Sequence, residues 1–220
     1  MNLIQDEKLR AKVKAFFERA LTQMDLEKEC LSFKNSPAGK SHHHSYRGGL
    51  LQHTIATTKF SLMITDLAEK IYGWKGIDRD YVIAGALLHD LFKPSTYIEK
   101  ENGTYGYSPM GERLDHLSLL IGEAYKEGLP LELMHILAAH HGDAGPIYPR
   151  TVEALIVHLS DLIDSRLNGD VQRAAQFIIR NCVGEESGIL PSKQAFRIVN
   201  AKKTSGCEGV KKVYSKMKNK

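Results

Sequence analysis

Between Tyr81 and Phe92 the chain reads YVIAGALLHDLF. A helix that is apolar on nearly every face has to lie inside a protein rather than on its surface. This one also carries His89 and Asp90. A carboxylate brought into such an interior is costly unless a cation or strong hydrogen-bond donors meet it there. A second segment repeats the conflict: Asp161 stands within ALIVHLSDLI, again a carboxylate on a helix dominated by apolar side chains. One shared metal site explains two buried aspartates with imidazoles nearby more economically than two separate accidents.

The remaining chain reads as helices around that segment. Leu9, Val13, Phe16, Phe17, Ala20, Leu21 and Met24 recur at three- and four-residue intervals, which predicts an amphipathic helix from Asp6 to about Glu29. Ser32–Gly49 is rich in Ser, Gly and His and is expected to be loop. Further helices are expected at about 50–71, 78–91, 111–127, 130–139, 151–167 and 171–181. Tyr97–Tyr107 differs, with two short aromatic-bearing runs flanking Asn102-Gly103, a favoured hairpin turn. With 220 residues, 42% of them apolar, the expectation is a single all-α domain over 1–220 with a small hairpin near 97–107. No apolar run is long enough for a transmembrane helix and no signal peptide is evident, so a cytoplasmic protein is expected. Cys30, Cys182 and Cys207 show no metal-knuckle spacing and are expected to be reduced thiols.

Charge is unevenly spread. The C-terminal extension, 193–220, holds nine Lys/Arg and one acid for a balance of +8, leaving −4 on the rest of a +4 chain. Such a segment either holds a polyanion by releasing counterions or is a solvated, frayed terminus.

Neighbouring helical residues diverge by about 100°, so neither His89-Asp90 nor His140-His141 can be a site alone. The missing ligands must come from other helices. His53, His89, Asp90 and Asp161 make one coherent ion site; His116, His140 and His141, with Asp90 bridging, make a second. Imidazoles mixed with carboxylates suit Mn(II), Fe(II), Co(II), Ni(II) or Zn(II), with Mn or Fe preferred. Two ions about 3.5–4 Å apart clamp a phosphoryl group and lower the pKa of a bridging water. His135 and His158 read as structural, with His158 placed to orient Asp161. His43 and His44, in the run His42-His43-His44, are candidates to bind substrate phosphate.

The pattern His53, His89-Asp90, His116, His140-His141 and Asp161 resembles the HD metal-dependent phosphohydrolase superfamily in its two-ion form. That resemblance implies an HD-domain helical bundle and the same division of ligands, with the HD aspartate between the ions. It also implies a phosphate contact from Lys93, three residues beyond Asp90. HHHSYRGGLLQHT, LLHDLFKP and HHGDAGPIYPRTVEALIVHLSDLIDSRL are similar to the catalytic domain of bacterial YhaM-type 3'-to-5' exoribonucleases over about 42–167. Those enzymes carry an OB-fold region ahead of the HD domain. Here about forty residues precede the motif and read as one helix and a loop, so no such region is expected. HHGDAGPIYP departs from the HD-GYP signature, which argues against cyclic di-GMP.

The expected activity is therefore phosphodiester hydrolysis by a metal-bridging hydroxide, on single-stranded RNA or DNA from the 3' end. The alternatives are a nucleotide or small phosphomonoester, or other esters including cyclic nucleotides. Outside that class stand a di-iron oxygenase and a vestigial binding module. Catalytic roles are expected for Asp90, Lys93, Asp161 and Asp164, the last by orienting a histidine ligand or a metal-bound water; Arg166 is a weaker phosphate contact or a partner of Asp164, and Asp143 stands near the mouth or on a surface loop. Tyr46, Tyr105 and Tyr107 are placed to stack a base. The expected partner is a phosphate ester, with single-stranded nucleic acid one form of it, and no membrane.

Overall fold

The computed structural model describes residues 1–26 and 30–218. It is an all-α bundle with one hairpin: α1 (Glu7–Leu26), α2 (Gly49–Ile71), α3 (Arg79–Leu88), α4 (Lys93–Thr96), α5 (His116–Lys126), α6 (Leu131–Ala139), α7 (Val152–Val183) and α8 (Ser192–Lys218), with β1 (Tyr97–Glu99) and β2 (Tyr105–Tyr107) between α4 and α5. The expected end of the first helix at Glu29 lies outside the described residues. The hairpin forms as expected, Tyr97 pairing with Tyr107 and Gly103 supplying the positive φ of the turn. Among the described residues no helix is long and apolar enough to cross a membrane.

Helix starts follow their capping residues. Asp6 accepts from Leu9 N, Asp78 from the amides of Asp80 and Tyr81, Asp115 from Ser118 N and Thr151 from Ala154 N. The Asp115 cap starts α5 five residues later than the apolar pattern suggests, which puts His116 on its first turn. α3 also stops early, at Leu88. Pro94 has no N–H to extend the helix, and His89–Phe92 form turns before α4. That break lets both members of the His89-Asp90 pair face one site.

One apolar core joins α1 through Val13, Phe16 and Ala20 to α3, α5 and α6. A second joins Val82 and Ala86 of α3 to Ile136 of α6 and Val157 of α7. At Gly85 a Cβ would lie 2.3 Å from Ile136 Cγ2, so only glycine permits this spacing of α3 on α6. The buried face of α2 is small and hydroxylated instead, and Thr54, Thr58 and Thr65 satisfy themselves on the carbonyls of Leu50, Thr54 and Ser61.

Three expectations fail beyond α6. The helices expected at 151–167 and 171–181 are one helix, α7, running 32 residues straight through Gly169; a lone glycine costs a helix only about 1 kcal/mol, which packing outweighs. The C-terminal extension is not a frayed terminus. α8 bends at Gly206 into two arms, and Ala195, Ile198, Ala201, Val210 and Tyr214 pack on Ala175 and Ile179 of α7. Finally, the thiols are not all reduced: Cys182 at the end of α7 is bonded to Cys207 at the start of the second arm, a pairing created by the packing of the arms.

Candidate metal centre

Every histidine singled out as a ligand sits where a helix starts, ends or faces the bundle axis. His53 comes from the buried face of α2. His89 and Asp90 follow the end of α3, His116 opens α5, and His140 and His141 follow α6. Asp161 comes from α7. Gly142 releases the chain after His141 with φ 55°, and a Cβ there would meet the His158 ring at 2.3 Å.

The hydrogen bonds set which ring nitrogen faces inward. His89 Nδ1 donates to Ala86 O (2.9 Å) and His140 Nδ1 to Leu137 O (2.7 Å). His53 Nδ1 lies 2.7 Å from Asp164 Oδ2. In each case Nε2 is left to point into the bundle. His53 Nε2 lies 3.1 Å from His89 Nε2, 3.1 Å from Asp161 Oδ1 and 3.2 Å from Asp90 Oδ2. The other oxygen of Asp90, Oδ1, lies 3.3 Å from His116 Nε2 and 3.7 Å from His140 Nε2. Asp90 thus divides its two oxygens between two groups of side chains.

Two donor atoms each about 2.1 Å from a common ion stand roughly 3.0–3.4 Å apart at octahedral to tetrahedral angles. The spacings of His53, His89 and His116 from Asp90, 3.2, 3.4 and 3.3 Å, fit that requirement, and His140 at 3.7 Å stands slightly wide of it. The chemistry fits as well: Asp90 Oδ1, His116 Nε2 and His140 Nε2 are buried without a hydrogen-bond partner among the described residues, a costly arrangement that a cation would relieve. Three groups offer convergent ligand atoms: Asp90, His116, His140 and His141; His53, His89 and Asp161; and His44, His53 and Asp164.

Electrostatics point the same way. Burial, reinforced by the neighbouring His116, holds His141 neutral by pushing its pKa down to about 4, and burial does the same to His140. Burial works against the charge on Asp90, but Lys93 and the surrounding imidazoles overcome it and hold the carboxyl well below its usual range. Burial likewise opposes a proton on His53, yet Asp161, Asp164 and Asp90 raise its pKa well above the ordinary value. The field that favours a proton there favours a divalent cation in its place.

Lys93 Nζ lies 2.6 Å from Asp90 Oδ2 and the side chain is buried. Of the histidine run, His42 is exposed, whereas His43 brings its ring within 5.5 Å of His53 with Nε2 buried and unpartnered among the described residues. Desolvation and the nearby Lys93 lower its pKa to about 3. His44 lies as close, its ring 5.6 Å from that of His53, but its two ring nitrogens bond to Asp164 and Tyr46. Arg166 and Asp143 are exposed. His158 bonds the carbonyl of His140 (2.8 Å) rather than Asp161, and His135 accepts from Arg150 N. Tyr107 stacks on Tyr97 and takes Lys40 Nζ 4.2 Å above its ring, while the Tyr46 hydroxyl is hydrogen-bonded internally. The contributions of Asn168 and Ser192 to this internal network escape sequence reasoning, since the His44 and Tyr46 groups that they meet are more than 120 residues away in sequence.

A family model described as HD domain matches residues 50–166, which contain every one of these candidate ligands except His44. The chain is 40% identical over 204 residues to the dihydroneopterin 2',3'-cyclic phosphate phosphodiesterase of Methanocaldococcus jannaschii, covering 92% of this chain and 81% of that protein. It is 29% identical over 161 residues to the 3'-5' exoribonuclease YhaM of Bacillus subtilis, and 31% identical over 159 residues to YhaM of Listeria innocua. Each of those two matches covers 67% of this chain and 48% of the relative, so the chain spans about half the length of the exoribonucleases. No solved structure gives a significant match.

Proposed function

The chain belongs to the HD domain family and is a metal-dependent phosphohydrolase, and from that premise we propose that it opens a small cyclic phosphodiester, with a 2',3'-cyclic phosphate as the substrate class. The observation that carries this reading is the match over 92% of the chain to an enzyme of that activity. The geometry agrees with it, because two ligand groups sharing Asp90 suit a single phosphoryl group held between two ions.

In this reading His53, His89, Asp90 and Asp161 hold one ion, and Asp90, His116, His140 and His141 the other. When bound, the ions supply Lewis acidity and a water of lowered pKa. The protein supplies the rest. Lys93, which Asp90 keeps charged against the pull of burial, donates to a non-bridging phosphate oxygen as charge grows there. His43, neutral and facing the same space, accompanies it at the substrate. Water adds to phosphorus, one ring P–O bond breaks, and the released sugar or side-chain oxygen takes the proton, leaving a monophosphate.

A second reading has independent support. The likeness to 3'-5' exoribonucleases, together with the +8 balance of 193–220, favours a single-stranded polynucleotide. Hydrolysis of a nucleoside monophosphate is the third. One Mn(II)-reconstituted assay separates them, using dihydroneopterin 2',3'-cyclic phosphate, a nucleoside 2',3'-cyclic phosphate, end-labelled RNA and DNA, and nucleoside monophosphates. The expected result is conversion of a cyclic phosphate to a monophosphate. Stepwise shortening of a strand from its 3' end with no turnover of cyclic esters would overturn the first reading in favour of the second.

A further inference from the structure

The third candidate group, His44, His53 and Asp164, shares His53 with the group around His89. Its spacings differ from those around Asp90. His44 Nε2 lies 2.8 Å and His53 Nδ1 2.7 Å from the same atom, Asp164 Oδ2. That is shorter than the roughly 3.0–3.4 Å separating two ligands of one ion and is the ordinary length of a charge-assisted N–H···O bond. A carboxylate only accepts, so both nitrogens donate to it. His53 Nδ1 therefore carries a proton held by Asp164, which leaves Nε2, directed at His89, Asp90 and Asp161, as the nitrogen that an ion would take in place of a proton.

The network continues outward. His44 Nδ1 lies 2.7 Å from the Tyr46 hydroxyl, which lies 2.6 Å from Ser192 Oγ at the start of α8 and donates to Gln52 Oε1. Asn168 of α7 donates to Ser192 and accepts from the backbone N–H of His44 at 2.7 Å. The loop is shaped to deliver this side chain. His44 is 3% exposed with φ 45°, a left-handed conformation that non-glycine residues adopt at a cost, and a Cβ at Gly49 would lie 1.9 Å from its carbonyl oxygen.

We propose that Asp164 and His44 form an ion-free clamp that fixes the ring of the metal ligand His53, and that Tyr46 and Ser192 tether this clamp to the C-terminal helix pair. His44, Tyr46, Asp164 and Ser192 are positioning residues, and the centre holds two ions rather than three. This rests on the two-ion reading above.

The test is a Mn(II) titration of the metal-stripped full-length protein that counts ions and affinities, with thermal unfolding followed in parallel. Wild type is expected to bind two ions. His44→Gln should still bind two, with one of them weakened by about 10- to 100-fold. Tyr46→Phe and Ser192→Ala should weaken the same ion by a smaller factor without lowering the melting temperature, and Asp164→Asn should weaken it most. Loss of one full equivalent of Mn(II) in His44→Gln would overturn the clamp and make His44 a ligand. Unchanged affinity in both Tyr46→Phe and Ser192→Ala would overturn the tether. Should His44→Gln not fold, Asp164→Asn decides the clamp by the same count of ions. Failure of wild type to bind Mn(II) at all would instead sink the two-ion reading itself.

Discussion

Asp90 carries the densest set of demands in the molecule. It is 2% exposed, faces three imidazoles and Lys93 at distances of 2.6–3.4 Å, and has one oxygen on each side of the site. Asp90→Ala should therefore lose affinity for both ions and lower turnover on the order of a thousandfold or more, as metal analysis and steady-state kinetics would register. Lys93→Ala is expected to separate the two effects, leaving both ions bound while kcat falls by roughly 10²–10³; loss of metal would contradict its assignment to substrate. Proton inventory gives a third check. The carboxylates raise the His53 pKa well above normal, so at pH 7 an incoming cation displaces a proton, and Mn(II) affinity should rise with pH until that raised pKa is passed. Calorimetry in buffers of different ionisation enthalpy measures the release, and none at all would contradict this account. The proposed ligands were readable from sequence because polar residues inside apolar helices announce a conflict. Asp164, one turn beyond Asp161, was readable as a group that orients a histidine; its partner His44 was not, because the two meet across 120 positions and nothing local in HHHSY marks which imidazole bonds Asp164.

Among the helices, legibility followed capping chemistry. Asp78 and Thr151 cap helices that start where the sequence reading put them, whereas the cap at Asp115 was overlooked in favour of the apolar pattern; the hairpin follows from Asn102-Gly103. α7 and α8 were misread for opposite reasons. Gly169 reads as a breaker yet lies inside a helix, while Gly206, in a segment dominated by lysine, marks the corner of a packed helix pair. The apolar spacing of Ala195, Ile198, Ala201, Val210 and Tyr214 was the signal, diluted by nine basic residues. Gly142 is where element geometry meets the site. Gly142→Ala must adopt φ 55° and press a methyl into His158, which should destabilise the protein by about 1–3 kcal/mol and displace His141. Denaturant unfolding and the affinity of the ion nearer His141 would record both effects.

For the whole molecule, two features set behaviour in solution. The Cys182–Cys207 bond closes a 25-residue separation between α7 and α8, and Cys182→Ser should reduce unfolding free energy by roughly 3 kcal/mol. The same loss should appear in the wild type under reductant, and a stability indifferent to both treatments would show that packing alone holds the helix pair. The +8 balance of the C-terminal extension makes salt response a test of whether it binds a polyanion. Turnover of a small cyclic phosphate should vary little across a salt series, whereas strand binding through α8 would weaken steeply and lose part of that slope when the exposed Lys211, Lys212 and Lys216 are replaced by Gln, which leaves the packed face and the disulfide intact. The shared carboxylate has one more consequence. Since Asp90 turns one oxygen to each group of histidines, neither ion can enter or leave without changing the charge seen by the other. A first divalent cation neutralises part of the shared charge and repels the second, so the two affinities separate, a one-ion species is populated, and a chelator should strip the ions in two resolved steps.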